Sequence, residues 1–180
     1  QNGLSMALTL IKEDGTGKPD ANAYADVADG DAYFEGHLYA SAWTAATGVQ
    51  KAAALVMATR LIDAEYQFYG ARAVDVQSLQ WPRENCPDPD GAAAAVFANN
   101  KVPKLVIDAT CEMARELLIV DRTAAPAGEG IHERQEVDLS RTIYSKSDKR
   151  MVIARLVQAM LAKYGCLLKR GSAAVRVVRA

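Results

Sequence analysis

The chain has 180 residues, 50% of them hydrophobic and 24% charged, and its formal net charge is −1. This length suits a single domain with a sizeable core, and the composition is ordinary for a globular protein. No apolar run approaches the roughly 20 residues of a membrane-spanning helix, so we expect no membrane partner.

The N-terminal region is predicted to be extended. We interpret residues 1–6 as an expression remnant that runs up to a natural start at Met6. Residues 7–25 are predicted to form an arm, because the stretch from Glu13 to Asp20 is rich in turn-forming residues and unsuited to a helix. Its first apolar residues alternate with polar ones, which allows a short strand.

A first helix is predicted over residues 27–38. Asp26 before it is a good N-cap, and the buried side would carry Val27, Phe34 and Leu38. Trp43 follows in a short turn-like segment.

The clearest element is a helix over residues 48–66. Thr47 and Gln50 resemble a capping box at its start. Behind them, residues suited to a buried face recur at three- and four-residue steps: Ala52, Leu55, Val56, Thr59, Ile62 and Tyr66.

Residues 67–102 are predicted to be irregular, because glycine and proline are frequent there. A stretch of this length without regular structure is unusual in a compact monomer, so we expect it to be functional or ordered by a partner. A third helix, 103–120, opens at Pro103. It presents one stripe formed by Val106, Thr110, Met113 and Leu117.

The C-terminal third is predicted to hold a strand over 134–144 and a last helix over 148–164. Ser147 would cap that helix and Gly165 would stop it. The fold class is therefore mainly α: a small helical bundle with a minor β-hairpin or extended strands and long irregular connections. Residues 7–165 form one domain, and residues 166–180 form an extended tail.

Motifs typical of enzymes are missing from the sequence. No phosphate-binding loop, nucleophile elbow or zinc-protease motif occurs. The three cysteines match no CxxC pattern and are expected to be free thiols, and the two histidines lie far apart in sequence. We therefore expect no enzymatic activity, no cofactor and no metal.

Charge is distributed unevenly along the chain. Residues 1–140 hold 11 Lys and Arg against 21 Asp and Glu, whereas residues 141–180 hold 10 against one. The basic part could meet nucleic acid, an acidic protein or an acidic surface of a neighbouring subunit. It could equally be the solvated side of an amphipathic helix on its own acidic body. Any DNA binding would be weak, non-specific and salt-dependent, through phosphate contacts by Lys146, Lys149, Arg150 and Arg155.

Several short motifs stand in a specific order between residues 8 and 120: Glu13-Asp14-Gly15-Thr16-Gly17, Pro19 to Tyr24, Asp31-Ala32-Tyr33-Phe34, Trp43, Lys51 through Ala58 to Asp63, Gln80-Trp81-Pro82-Arg83 and Val102-Pro103. This order resembles a family of small prophage and tailed-phage proteins. Its members are described as head–tail connectors (adaptors) or as DnaT-like single-stranded-DNA-binding proteins.

The resemblance implies a mainly helical virion subunit without catalytic residues. It would be made in the host bacterial cytoplasm and would assemble with copies of itself into a ring below the portal protein, with DNA passing through and tail or stopper proteins beneath. We favour this connector over the DnaT-like alternative, because stacking on bases would require several aromatic residues and only 7% of the chain is aromatic.

Two segments are candidates for contacts in such an assembly. Trp81, Pro82 and Arg83 could lie at a subunit–subunit surface, where Trp and Arg are enriched, or simply cover a helix pair. The tail is predicted to dock on the portal by adding a strand to a sheet edge, through Val175, Arg176, Val177, Val178 and Arg179.

Overall fold

The computed structural model describes residues 8–125 and 151–168. Within these ranges the chain is mainly helical, with two small antiparallel sheets. The elements, in chain order, are α1 Val27–Phe34, α2 Ser41–Ala45, α3 Gly48–Glu65, β1 Tyr66–Phe68, β2 Ala71–Arg72, β3 Arg83–Glu84, α4 Lys104–Ile119, α5 Arg155–Leu161 and β4 Gly165–Leu167.

Helices α3 and α4 form the centre of the fold. The start of α3 packs against the end of α4, so the two helices run antiparallel. Both predicted helices are confirmed to within one residue at each end, and the Thr47–Gln50 capping box is present. Along the predicted stripes the fully buried side chains are Leu55, Ile62, Val106 and Met113, together with the hydroxyl residues Thr59 and Thr110. Each hydroxyl donates to a carbonyl one turn earlier and is thereby satisfied.

Helix α1 is shorter than predicted. It begins after the Asp26 N-cap, as expected, but it ends at Phe34. Gly36 follows two residues later and favours an end to the helix. The chain turns there so that Trp43, in α2, can pack against Phe34 with ring centroids 5.2 Å apart. Leu38 consequently lies outside the helix and is 91% exposed, so its predicted burial is wrong.

The segment predicted to be irregular, 67–102, contributes to the core. It contains the end of β1 and the pair β2–β3. Trp81 is fully buried and makes edge contacts with Phe68, Phe97 and Tyr164, at centroid distances of 5.7, 5.9 and 5.8 Å. The Trp81–Pro82 peptide bond is cis. The segment is therefore connected to the core by contacts within the chain.

The last helix differs most from its prediction. Within the described residues α5 spans only seven residues, and Gly165 begins strand β4, which pairs antiparallel with β1. A Cβ at Gly165 would lie 2.6 Å from the carbonyl oxygen of Gln67, so the close approach of the two strands requires glycine here. Cys166 and Leu167 belong to β4, although the tail was predicted to begin at Cys166.

Other predictions fall outside the described residues. These are the strand over 134–144, the Ser147 cap with the beginning of the predicted last helix, and the tail beyond residue 168. Among the described residues, no helix has both the length and the apolar character that crossing a membrane requires.

Candidate nucleic-acid interface

The predicted contact residues Trp81, Pro82 and Arg83 lie inside the chain. Trp81 is 0% and Arg83 3% exposed. The Arg83 guanidinium donates to the carbonyl oxygens of Tyr69, Gly70 and Gln80 at 2.7, 2.7 and 3.0 Å. Because burial removes water from this guanidinium, its pKa is lowered. These side chains are buried within one subunit, where Arg83 holds the loops together through its hydrogen bonds.

Of the predicted DNA-facing residues, Arg155 is described and is exposed at the first position of α5. Lys146, Lys149 and Arg150 lie outside the described residues, as do the tail residues Val175 to Arg179.

Residues 151–168, which we call the C-terminal segment, contain no acidic residue. Their two charged residues, Arg155 and Lys163, are both exposed, one at each end of α5. The side of α5 that faces the core carries Val157 and Leu161. The charged residues on the outward side of this segment are therefore all basic, in contrast to the acidic body of the chain, and they lie among exposed apolar residues such as Leu156.

A charged network holds the C-terminal segment on α4. The Arg122 guanidinium donates to the carbonyl oxygens of Met151 and Val152, each at 2.9 Å, and it also contacts the Glu116 carboxylate at 2.9 Å. These contacts hold residues 151 and 152 against Glu116, directly ahead of α5, which begins at Arg155.

The network continues inward to Glu112, a carboxylate that is 1% exposed. Tyr33 Oη donates to it at 3.0 Å, Arg115 Nε contacts it at 3.1 Å and His37 Nε2 lies 3.0 Å away. A buried charge with this many partners is typical of a structural site. His37 therefore has a local structural role. Among the described residues, no group of three or more His, Cys, Asp or Glu is arranged to hold a metal ion.

Tyr69 lies at the other edge of the C-terminal segment. Its amide donates to the carbonyl oxygen of Tyr164 at 2.9 Å. Gly70 follows with φ +74°, and a Cβ there would come within 2.2 Å of the Glu84 carbonyl oxygen, so this corner requires glycine. Arg72, two residues later in β2, is exposed. The corner thus brings the backbone of Tyr69 next to the segment that carries Lys163, with Arg72 three residues further along the chain.

Acidic groups also lie near this corner. Lys163 Nζ is 3.2 Å from an Asp90 carboxylate oxygen, with both side chains more than half exposed. The pKa of Tyr164 is raised by burial and, to a lesser extent, by Asp90 and Asp88. An exposed ion pair of this kind contributes little, so a polyanion can compete for Lys163.

Sequence reasoning did not single out Tyr69, Arg72 or Lys163. The absence of acids from 151–168 is visible in the sequence and could have pointed to Lys163. The position of Tyr69 beside Tyr164 depends on a pairing between segments about 95 residues apart, for which the sequence carries no local signal.

A comparison with protein families gives one match. A family model described as "Putative DnaT-like ssDNA binding protein" matches residues 8–180. No curated protein matches the chain, and no solved structure matches it either. The match includes the basic C-terminal part, beyond the region near residue 120 where the resemblance in short motifs ends. It supports the DnaT-like description and gives no support to the head–tail connector.

Proposed function

We propose a function from the fact that this chain belongs to the DnaT-like ssDNA binding protein family. In this proposal the protein binds single-stranded DNA without sequence preference, through its basic C-terminal part. The observation that carries the proposal is the charge distribution. Residues 141–180 hold 10 Lys and Arg and one acid. Single-stranded DNA is a polyanion, and cations that neutralise its phosphates release bound counterions, which favours binding.

The C-terminal segment supports this proposal with exposed cations on a rigid support. Arg155 and Lys163 project from an element that Arg122 ties to α4, and no acid of the same segment neutralises them. Because the chain is only 7% aromatic, phosphate contacts would outweigh base stacking. Neither catalysis nor a cofactor is part of the proposal.

The test is a titration of labelled oligothymidylate at low and at physiological salt. The logarithm of the binding constant should fall linearly with the logarithm of salt concentration, with a slope of about 0.7 for each phosphate neutralised. The double variant Arg155→Ala/Lys163→Ala should bind more weakly, with a slope smaller by about 1.4.

Lys104→Ala is the matched control, because Lys104 is an exposed lysine on α4 whose side chain is 81% accessible. It should bind like the unsubstituted protein. Absence of binding at low salt, or an equal loss in the control and the double variant, would refute the assignment of the interface to the C-terminal segment.

A second candidate is a structural subunit of a phage head–tail connector, and exposed apolar side chains favour it. Leu38, Tyr39 and Val49 are 91%, 74% and 75% exposed. A groove of about 370 Å³ also opens between α3 and α4, lined in part by Met57 and Leu118. Exposed apolar residues, such as the sequence neighbours Leu38 and Tyr39, are typical of surfaces that contact another protein. The partners would be the portal protein, tail or stopper proteins and further copies of the chain in a ring.

The two candidate functions predict different masses in solution when the protein is mixed with a portal ring. A connector subunit should migrate with a portal ring, and Leu38→Glu should abolish that comigration while leaving the affinity for single-stranded DNA unchanged. A protein that stays monomeric and ignores the portal ring would exclude the connector.

A further inference from the structure

Tyr69 is an exposed aromatic residue whose backbone is bonded to the C-terminal segment. Among the described residues, the large aromatic side chains classed as exposed are Tyr39 at 74% and Tyr69 at 43%. Both tryptophans are buried. Tyr39 lies in the corner between α1 and α2, whereas the amide of Tyr69 is bonded to the carbonyl oxygen of Tyr164, directly after Lys163.

The backbone that carries Tyr69 is fixed on both sides. Its amide is bonded to Tyr164, and its carbonyl oxygen accepts from Arg83 Nε at 2.7 Å. The same guanidinium holds the next carbonyl, that of Gly70, at 2.7 Å. A stacking residue on a fixed backbone loses little conformational entropy when a base binds.

Two cations lie near this position in the backbone, one three residues further along the chain and one on the paired C-terminal segment. Arg72 is exposed and pairs in register with Arg83, and its guanidinium donates to the carbonyl oxygen of Gln77. The ion pair between Lys163 and Asp90 is exposed and therefore weak, so a phosphate group can replace Asp90 as the partner of Lys163. Proteins commonly hold single strands with an exposed aromatic ring that stacks on a base and with nearby cations that contact the phosphates.

We infer that Tyr69 is a base-stacking residue for single-stranded DNA, with Arg72 and Lys163 holding the adjoining phosphates. This inference rests on the proposed function and adds to it the contact that distinguishes a nucleic acid from other polyanions.

The test compares oligothymidylate with an abasic oligonucleotide of the same length. Tyr69→Leu should lower the affinity for oligothymidylate by about 5- to 150-fold, the loss expected for one stacked base. Its affinity for the abasic strand and its salt dependence should stay unchanged. Tyr69→Phe should retain binding, and Tyr39→Leu is the matched control that should behave like the unsubstituted protein.

A second variant, Tyr69→Trp, reports stacking by fluorescence, so the test does not depend on whether Tyr69→Leu folds stably. In Tyr69→Trp the introduced indole is expected to be exposed, so oligothymidylate should quench its fluorescence and the abasic strand should not. Two results for Tyr69→Leu would speak against stacking: binding like that of the parent protein, or an equal loss of affinity for both ligands. Either result, together with an absence of quenching in Tyr69→Trp, refutes stacking at Tyr69. If the parent protein binds neither ligand, the proposed function itself fails.

Discussion

Gly30 shows how a single hydrogen atom determines the packing of α1. A Cβ at this position would come within 2.3 Å of Cζ2 of Trp43, which is 1% exposed. Because Trp43 is also held by its indole N–H, which donates to Asp31, it has little room to move. We expect Gly30→Ala to lower the free energy of unfolding by about 1–3 kcal/mol, despite the better helix propensity of alanine.

Urea denaturation measures this effect. Gly36→Ala is the control, because a Cβ there meets nothing within 4 Å, and its stability should be unchanged. An equally stable Gly30→Ala protein would mean that Trp43 can be displaced at no cost.

Asp63 gives the protein a defined pH dependence. It accepts hydrogen bonds from the Tyr24 hydroxyl and the Gln80 amide, but burial outweighs both and raises its pKa from 3.8 to about 6. Since the folded state then binds the proton more tightly than the unfolded state, this residue makes the free energy of unfolding fall as the pH rises from about 4 to 6, by about 3 kcal/mol at most.

Asp63→Asn should remove this contribution while retaining an oxygen that accepts from Tyr24. Denaturant titrations at several pH values across this range provide the measurement. Asp75→Asn, at an exposed loop position, should keep the parent's pH dependence. If the two variants show the same pH dependence, Asp63 does not titrate as described.

Residue by residue, the sequence predicted local features well and long-range ones poorly. The caps Asp26 and Thr47 were identified because a cap depends on residues only three positions away. For Trp81 the sequence left two alternatives, a subunit surface or the cover of a helix pair, because its contacts with Phe97 and Tyr164 have no local pattern that would connect them.

Among the elements, α3 and α4 were predictable because each carries a long periodic stripe that is buried against the other. The last helix was not, because the residues ahead of it contact Arg122, about 30 residues earlier in the chain, and no local pattern reveals such a contact. We therefore expect Arg122→Leu to loosen the C-terminal segment from α4. Amide hydrogen exchange should accelerate throughout α5 and remain slow in α3.

Arg60→Leu serves as the control for that experiment, because Arg60 is exposed on α3. It should leave exchange in α5 unchanged. Protection of α5 that survives Arg122→Leu would show that the apolar contacts of Val157 and Leu161 suffice to hold the helix.

At the scale of the whole molecule, the sequence predicted a mainly helical fold and an uneven charge distribution, and the first agrees with the described structure. It did not predict which surface the basic part would occupy. Charge can be counted from the sequence, but its location depends on β4 pairing with β1 and on the Arg122 contacts. The cationic surface of the C-terminal segment is therefore a property of the fold that composition only suggests.

Truncation after Leu168 tests whether the cations of residues 169–180 contribute to DNA binding without contributing to the stability of the fold. It removes four cations, Lys169, Arg170, Arg176 and Arg179, and leaves every core residue of the described ranges in place. We expect an unchanged melting temperature, weaker binding of oligothymidylate and a salt slope smaller by up to about 3, if all four cations contact phosphates. A lower melting temperature with an unchanged slope would make residues 169–180 part of the stabilising structure and would leave the DNA contacts to the cations before Leu168.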